Sequence, residues 1–240
     1  MTMKALLTVT ALVLVAGCGS DAEPNAEKTV DKPADIPARE FPTEWAEAID
    51  NPWLPLVPGA SWTYEKKTAD SVEDVVVTVT DKKKTVDGVE TTVVTEKVTE
   101  DGELIDDTKT WYAQDAEGNV WNLGETTEAH EDGKVETEGW EAGVDGAEAG
   151  IAMLAEPKVG DVYRQMFLEG EAEDSAKVLS LDESIEGPVG SWEGVLQTED
   201  TTPLEPEVEH KFYAKGVGAV EQHTVKGEEE QVVLTKYDKP

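Results

Sequence analysis

The run over residues 72–80 limits what this chain can become. Val75, Val77 and Val79 fall on one side of an extended backbone, and Asp74, Thr78 and Thr80 on the other, with Val76 out of step. A period of two over β-branched residues describes a half-buried strand. Runs of the same kind follow at short intervals: 61–68, 89–98, 104–114, 120–124, 134–137, 161–168, 172–181, 192–198, 208–214, 217–225 and 231–237. Asp87-Gly88, Asp101-Gly102 and Asp132-Gly133 separate several of them, which is hairpin chemistry. Asp81-Lys-Lys-Lys84 and Asp115-Ala-Glu-Gly-Asn119 also read as turns. No long helical period occurs, and strands do not alternate with helices, so a parallel sheet is not expected.

The expected fold is all-β: one large antiparallel, curled sheet of about ten to twelve strands, arranged as a barrel, half-barrel or sandwich. A sheet of that size curls, splits or closes. A wide curl leaves an interior that its own side chains do not fill, and this is the route from the sequence to ligand binding. One segment breaks the rhythm. Residues 138–160 are rich in glycine, and 147–155 read as a short helix ending before Pro157, with Ile151, Met153 and Leu154 capping one end of the sheet. This segment is either a lid or a long crossover covering an edge.

The chain turns into the domain at Asn51-Pro-Trp-Leu-Pro-Leu-Val-Pro-Gly-Ala-Ser-Trp-Thr-Tyr64. Three prolines fix φ there and deny a helix. The apolar residues among them, Trp53, Leu54, Leu56 and Val57, need a surface to bury on. The stretch reads as a plug on the sheet end, with an aromatic lip over a pocket as the alternative. Just upstream, residues 44–49 read as one or two helical turns presenting Trp45 and Ile49. Residues 18–44, with Pro24, Pro33, Pro37 and Pro42 among charges and alanines, read as a tether, and 45–240 as the β domain.

Asp and Glu number 53 against 20 Lys and Arg, a formal charge of −33. Such a field repels nucleic acid and attracts cations and basic partners. It also keeps a domain hydrated. The chain has one cysteine, Cys18, so no disulfide forms within it. Lys4, an apolar run over 5–16 and Val15-Ala16-Gly17-Cys18 resemble a bacterial lipoprotein signal with its lipobox. The resemblance implies removal of residues 1–17 and acylation of Cys18, with two chains holding the protein on a membrane outside the cytoplasm. Residue 19 is glycine. In a Gram-negative envelope that favours the outer membrane; under a single membrane it leaves the protein on the outer face.

The chemistry sought elsewhere is sparse. Gly190-Ser-Trp-Glu-Gly194 has the serine one place early for a nucleophile elbow, and no zinc, redox or phosphate-loop motif occurs. No cofactor is expected. Asp115-Ala-Glu-Gly-Asn119 begins like a calcium loop, but its glycine is misplaced. His210, in phase with Val208 and Phe212, is placed inward and paired across a hairpin with His223. Glu169, Glu171, Glu173 and Asp174 form either a solvated edge or an inward acidic site.

The phrases Asn51-Pro-Trp-Leu-Pro-Leu-Val-Pro-Gly59, Trp111-Tyr-Ala-Gln-Asp115 with Gly118-Asn-Val-Trp121, Glu141-Ala-Gly-Val-Asp-Gly146 and Tyr213-Ala-Lys-Gly-Val-Gly218 resemble an uncharacterised family of exported bacterial proteins. That resemblance implies an all-β envelope domain and no activity. A looser likeness, by architecture alone, is to periplasmic lipoprotein carriers that hold acyl chains. Three functions follow in order. The first is a binding module for a lipid or other apolar or amphipathic ligand, lined by Trp62, Trp111, Trp121, Trp140 and Trp192. The second is an acidic surface meeting a basic protein or calcium. The third, which no spacing demands, is an envelope hydrolase.

Overall fold

The structure is a computed structural model and describes residues 36–131 and 133–240. Five strands run up and down in chain order: β1 (Ser61–Thr68), β2 (Val72–Val86), β3 (Val89–Glu100), β4 (Glu103–Gln114) and β5 (Val120–Glu131). Five more do the same at the far end of the chain: β10 (Ser175–Gly187), β11 (Gly190–Thr201), β12 (Val208–Ala214), β13 (Gly218–Lys226) and β14 (Glu230–Asp238). Between them lie β6 (Lys134–Glu141), β7 (Glu148–Met153), β8 (Val162–Arg164) and β9 (Met166–Phe167). All fourteen belong to one antiparallel sheet, and no helix forms among the described residues.

The two meanders join where β1 pairs with β14. Trp62 lies opposite Tyr237 in that ladder, and the rings stack with centroids 5.2 Å apart. The sheet order runs from β8 through β10–β14 and β1–β5 to β7 and β9. β6 branches off this path, pairing with β5 alone, and the two edge strands of the path are neighbours in sequence, separated only by Gln165. β8 pairs with β10 on one side, and β9 with β7 on the other. The sheet is not a closed barrel; it curls until one short segment serves both edges. Close approach there needs Gly150 of β7, where a Cβ atom would overlap the Gln165 carbonyl group. Arg164 adds an ion pair to Glu148 at 2.8 Å.

Local chemistry explains the hairpins. Asp87 and Gly88 take φ of 45° and 80°, and Asp101 and Gly102 take 54° and 82°. Two residues with positive φ make the tight turn whose twist matches the flanking strands. β1 and β12 span the residues expected for them.

Three local expectations are corrected. Asp81-Lys-Lys-Lys84 is no turn: it lies inside β2, at a register shift between Val79 and Lys83. A bulge bends and twists the strand without ending it. Residues 147–155 form no helix but carry β7, which bonds to β5 and β9. Ladder partners on both sides outweigh the weak helical preference of an Ala-rich run. Residues 44–49 are likewise not helical: Trp45 forms a bridge with Asp115, and the Ala46 N–H donates to the Gln114 carbonyl oxygen at 2.8 Å. Ile151, Met153 and Leu154 are buried as expected, in the main core.

The entry stretch is fixed by polar bonds under an apolar cover. The Gln114 Oε1 atom accepts from the N–H groups of Asp50 and Asn51, both at 2.9 Å. Asn51 is buried, donates through Nδ2 to the carbonyls of Gly118 and Leu154, and accepts at Oδ1 from the Trp53 N–H. Trp53 and Leu56 are buried in the core cluster, which matches the plug. Packing begins further upstream still. Ile36 is buried, and Phe41 meets Trp45 and Trp121 with centroids 5.4 and 5.8 Å away. Pro37 to Arg39 lie beside β7 and β8 around a small hollow, covering the place where the sheet edges meet. The Trp53→Ala variant should lose roughly 3 kcal/mol or more of stability in urea unfolding. A loss under about 0.5 kcal/mol would contradict the burial described here.

Candidate ligand cavity

Curling leaves the sheet with an interior. A cavity of about 440 Å³ lies inside it, walled by side chains from β1–β5 and β11–β14 and floored at one end by Leu54 and Leu56 of the entry stretch. Part of the wall is apolar: Val75, Val77, Val94, Val98, Met166 and Val232. Part is aromatic: Trp62, Tyr64, Tyr112 and Tyr213. The rest is acidic, with ten carboxylate side chains against the two ammonium groups of Lys66 and Lys211. The turn around Glu171 and the connection containing Leu204 and Glu205, between β11 and β12, complete the wall.

Each lysine is held between carboxylates. Lys66 Nζ lies 3.2 Å from Glu73 and 3.4 Å from Glu230. Lys211 Nζ lies 3.1 Å from Asp200 and 3.5 Å from Glu209. Gln222 Nε2 links the two groups by donating to Glu209 at 2.9 Å and to Glu230 at 3.4 Å. Gln165, between the two edge strands, donates to Asp200 at 3.2 Å. Burial alone would lower both ammonium pKa values. For Lys66 the Glu230 and Glu73 charges outweigh it, and for Lys211 those of Asp200 and Glu209 do, so both stand above the usual lysine range.

Three other inner carboxyls, Glu125, Asp174 and Glu96, make no ion pair. Glu125 of β5 is pushed up to about 8, first by burial and then by the charges of Asp174 and Glu96. The Trp140 indole opposite it in the β5–β6 ladder favours the charged form in part. Its buried N–H nevertheless makes no hydrogen bond of standard geometry. Asp174 is pushed up to about 7 by burial, with Lys211 opposing and Asp200 reinforcing the shift. Glu96 of β3 is also raised by burial, against the pull of Lys66 and Lys211.

The five tryptophans expected as lining part company here. Trp62 is on the cavity wall, its indole N–H donating to the Val217 carbonyl at 2.7 Å. Trp111, Trp121, Trp140 and Trp192 are not among the lining residues. Trp111 is buried under the Lys84 ammonium, 3.2 Å from the ring centroid. Trp121 donates to Asp115 Oδ2 at 2.8 Å and packs edge-on against Phe41 and Trp45. Trp140 is buried near Glu125, and Trp192 pairs with Ile185 in the β10–β11 hairpin. Cys18 lies outside the described residues.

His210 and His223 do face each other across β12 and β13, with ring centroids 5.8 Å apart. They do not point inward, however. Glu209, Lys211 and Tyr213 take the cavity face of β12, so His210 and Phe212 take the other. Asp115 turns the chain between β4 and β5. Its carboxylate accepts from two backbone N–H groups, Asn119 Nδ2 and the Trp121 indole, which fits the hairpin reading. Of the acidic run, Glu171 and Asp174 reach the cavity wall, while Glu173 accepts from the Gly170 N–H. No group of three or more His, Cys, Asp or Glu among the described residues is placed to hold a metal ion.

Sequence reasoning passed over Lys66, Glu96, Glu125 and Lys211, yet a signal was present. Lys66 is in phase with Trp62 and Tyr64, and Glu96 with Val94 and Val98, so each charged side chain occupies an apolar phase of its strand.

No family model matches the sequence, and no curated protein matches it. Two solved structures resemble the fold. One, from Bacteroides fragilis, is described as an exported protein with a YmcC-like fold. It shares 14% identity, with 78% of this chain and 99% of that chain covered and a TM-score of 0.47. The other, from Parabacteroides distasonis and described as a lipoprotein, shares 10% identity over 78% of this chain and 98% of its own, with a TM-score of 0.44.

Raised carboxyl pKa values make folding pH-dependent. Unfolding returns Glu125 and Asp174 to their ordinary values, 4.5 and 3.8, so the native state binds the extra protons. Their contribution is complete below about pH 4 and is lost as the pH rises through 7 and 8. The melting temperature should therefore fall between pH 5 and pH 8.5. Glu125→Gln should raise it at pH 8.5 by several degrees while changing it little at pH 5, and a variant with an unaltered pH slope would contradict this account.

Proposed function

We propose that this protein is a lipid-anchored, extracytoplasmic binding protein, held on a membrane through Cys18, whose curled sheet takes up one small amphipathic ligand. The observation that carries the reading is the cavity of about 440 Å³, walled by valines and aromatic rings on one part and by charged groups on another. Its size suits a single small-molecule ligand, and a wall apolar and aromatic on one part and charged on another suits an amphipathic one. The lipobox-like Val15-Ala16-Gly17-Cys18 supports the anchor, and the formal charge of −33 is compatible with a hydrated exported domain.

The acidic charge gives a second reading some support, a surface that attracts a basic protein or calcium. The cavity favours the first, because an interface needs no hollow interior. Native mass spectrometry of protein extracted from its own membrane should show a co-purified small mass, and a fluorescent apolar probe should be taken up by protein stripped of that mass. A spectrum at the bare lipoprotein mass, with no probe uptake, would overturn the binding reading. Cys18→Ser should move the protein from the membrane to the soluble fraction, and retention on the membrane would refute the anchor.

A further inference from the structure

The charge of the ligand can be read from the groups left without partners. Glu96 lines the cavity and makes neither a hydrogen bond nor an ion pair within the described chain; Glu125 makes no ion pair there and has only the Trp140 indole beside it. They sit on β3 and β5, either side of β4. Glu96 is level with Thr108, and Glu125 with Thr110. Both are half-buried, and a carboxyl facing a cavity without a cationic partner is poorly compensated. The cost is relieved when a bound molecule supplies the donor.

The cavity's own cations are not free to meet an anionic ligand. Lys66 is committed to Glu73 and Glu230, and Lys211 to Asp200 and Glu209. A fatty acid or a phosphate would have to displace one carboxylate from each and would meet the others as like charges. The aromatic part of the wall points the same way as the carboxyls. Trp62, Tyr64, Tyr112 and Tyr213 line the cavity, and aromatic rings attract ammonium groups.

Resting on the reading of this cavity as a binding site, we propose that its ligand is an organic ammonium ion with an apolar body. The nitrogen donates to Glu96 and Glu125, and the body lies against Val75, Val77 and Val94. An ammonium only donates, which is what acceptors without partners require. Such an ion is either a free amine or the head of an amine-bearing lipid, and the recognising chemistry is the same.

The test is calorimetric titration of the full chain carrying Cys18→Ser, in enough salt to screen the surface charge. The probes are octylamine, octanol and octanoate, which share a chain and differ in charge, with sphingosine as the lipid amine. Octylamine should bind about tenfold more tightly than octanol and octanoate, the scale expected of hydrogen bonds to a charged group. Combining Glu96→Gln with Glu125→Gln should remove that preference while leaving octanol binding within about threefold, which also shows that the variant folds. Glu131→Gln with Glu136→Gln, on the exposed surface, should leave the preference intact.

Tighter binding of sphingosine than of octylamine would assign the ligand to lipids, and the reverse to free amines; either supports the proposal. Equal binding of amine, alcohol and acid by the unaltered cavity would overturn it while leaving the binding reading standing. A preference that survives the paired glutamine variant would also overturn it. Failure of every probe to bind would sink both.

Discussion

The structure depends on the sheet meeting its own hydrogen-bonding needs. Fourteen strands carry long rows of backbone N–H and C=O groups, and each edge left open costs solubility or invites another chain. Two contacts manage this. The first is the β1–β14 ladder, which joins two meanders formed far apart in sequence and is reinforced by the Trp62–Tyr237 stack. The second is residues 162–167, where one segment supplies both ends of the main strand path, β6 branching off beside β5, and Gly150 permits the close approach. The entry stretch and residues 36–41 then cover what remains, Asn51 and Gln114 holding it by bonds buried beneath Trp53.

That closure has an electrostatic consequence. Strands whose inward phase carries Lys66, Glu96, Glu125 and Lys211 place those groups in an enclosed space once the sheet curls. Where a lysine stands between two carboxylates the charges are retained, and the ammonium pKa rises. Where a carboxyl stands alone it holds its proton into the neutral range. A sheet needing only stability would gain more from apolar side chains at these positions. On the proposed binding function, the polar half of the cavity would serve recognition and the valine and aromatic half would bury the ligand's body.

Much of the fold was legible because strands are encoded locally. Alternation in 72–80 and the Asp-Gly pairs located hairpins that the backbone confirms, and Val76, out of step with the other valines, is exposed. The errors fell where a long-range partner overruled a local signal. Residues 81–84 look like a turn until β3 pairs with them through a bulge, and 147–155 look helical until β5 and β9 flank them. The tryptophans show the same limit. Period two says that an aromatic is on a face, but not whether that face lines a hollow or meets a neighbour, so Trp62 reached the cavity while Trp121 became the partner of Asp115.

The sequence by itself determined an antiparallel all-β domain, its Asp-Gly hairpin turns and its entry plug, because turn chemistry, proline restriction and side-chain alternation act over a few residues. It also determined a strongly acidic molecule with a single cysteine in a lipobox-like setting. Only the tertiary structure decided that the first and last strands pair, that both ends of the main strand path fall on residues 162–167, and that unpaired carboxyls from β3 and β5 share one enclosed space with lysines already committed. Those outcomes depend on how far the sheet curls, and curl is the sum of twist and bulges over fourteen strands. No short stretch of sequence carries that sum.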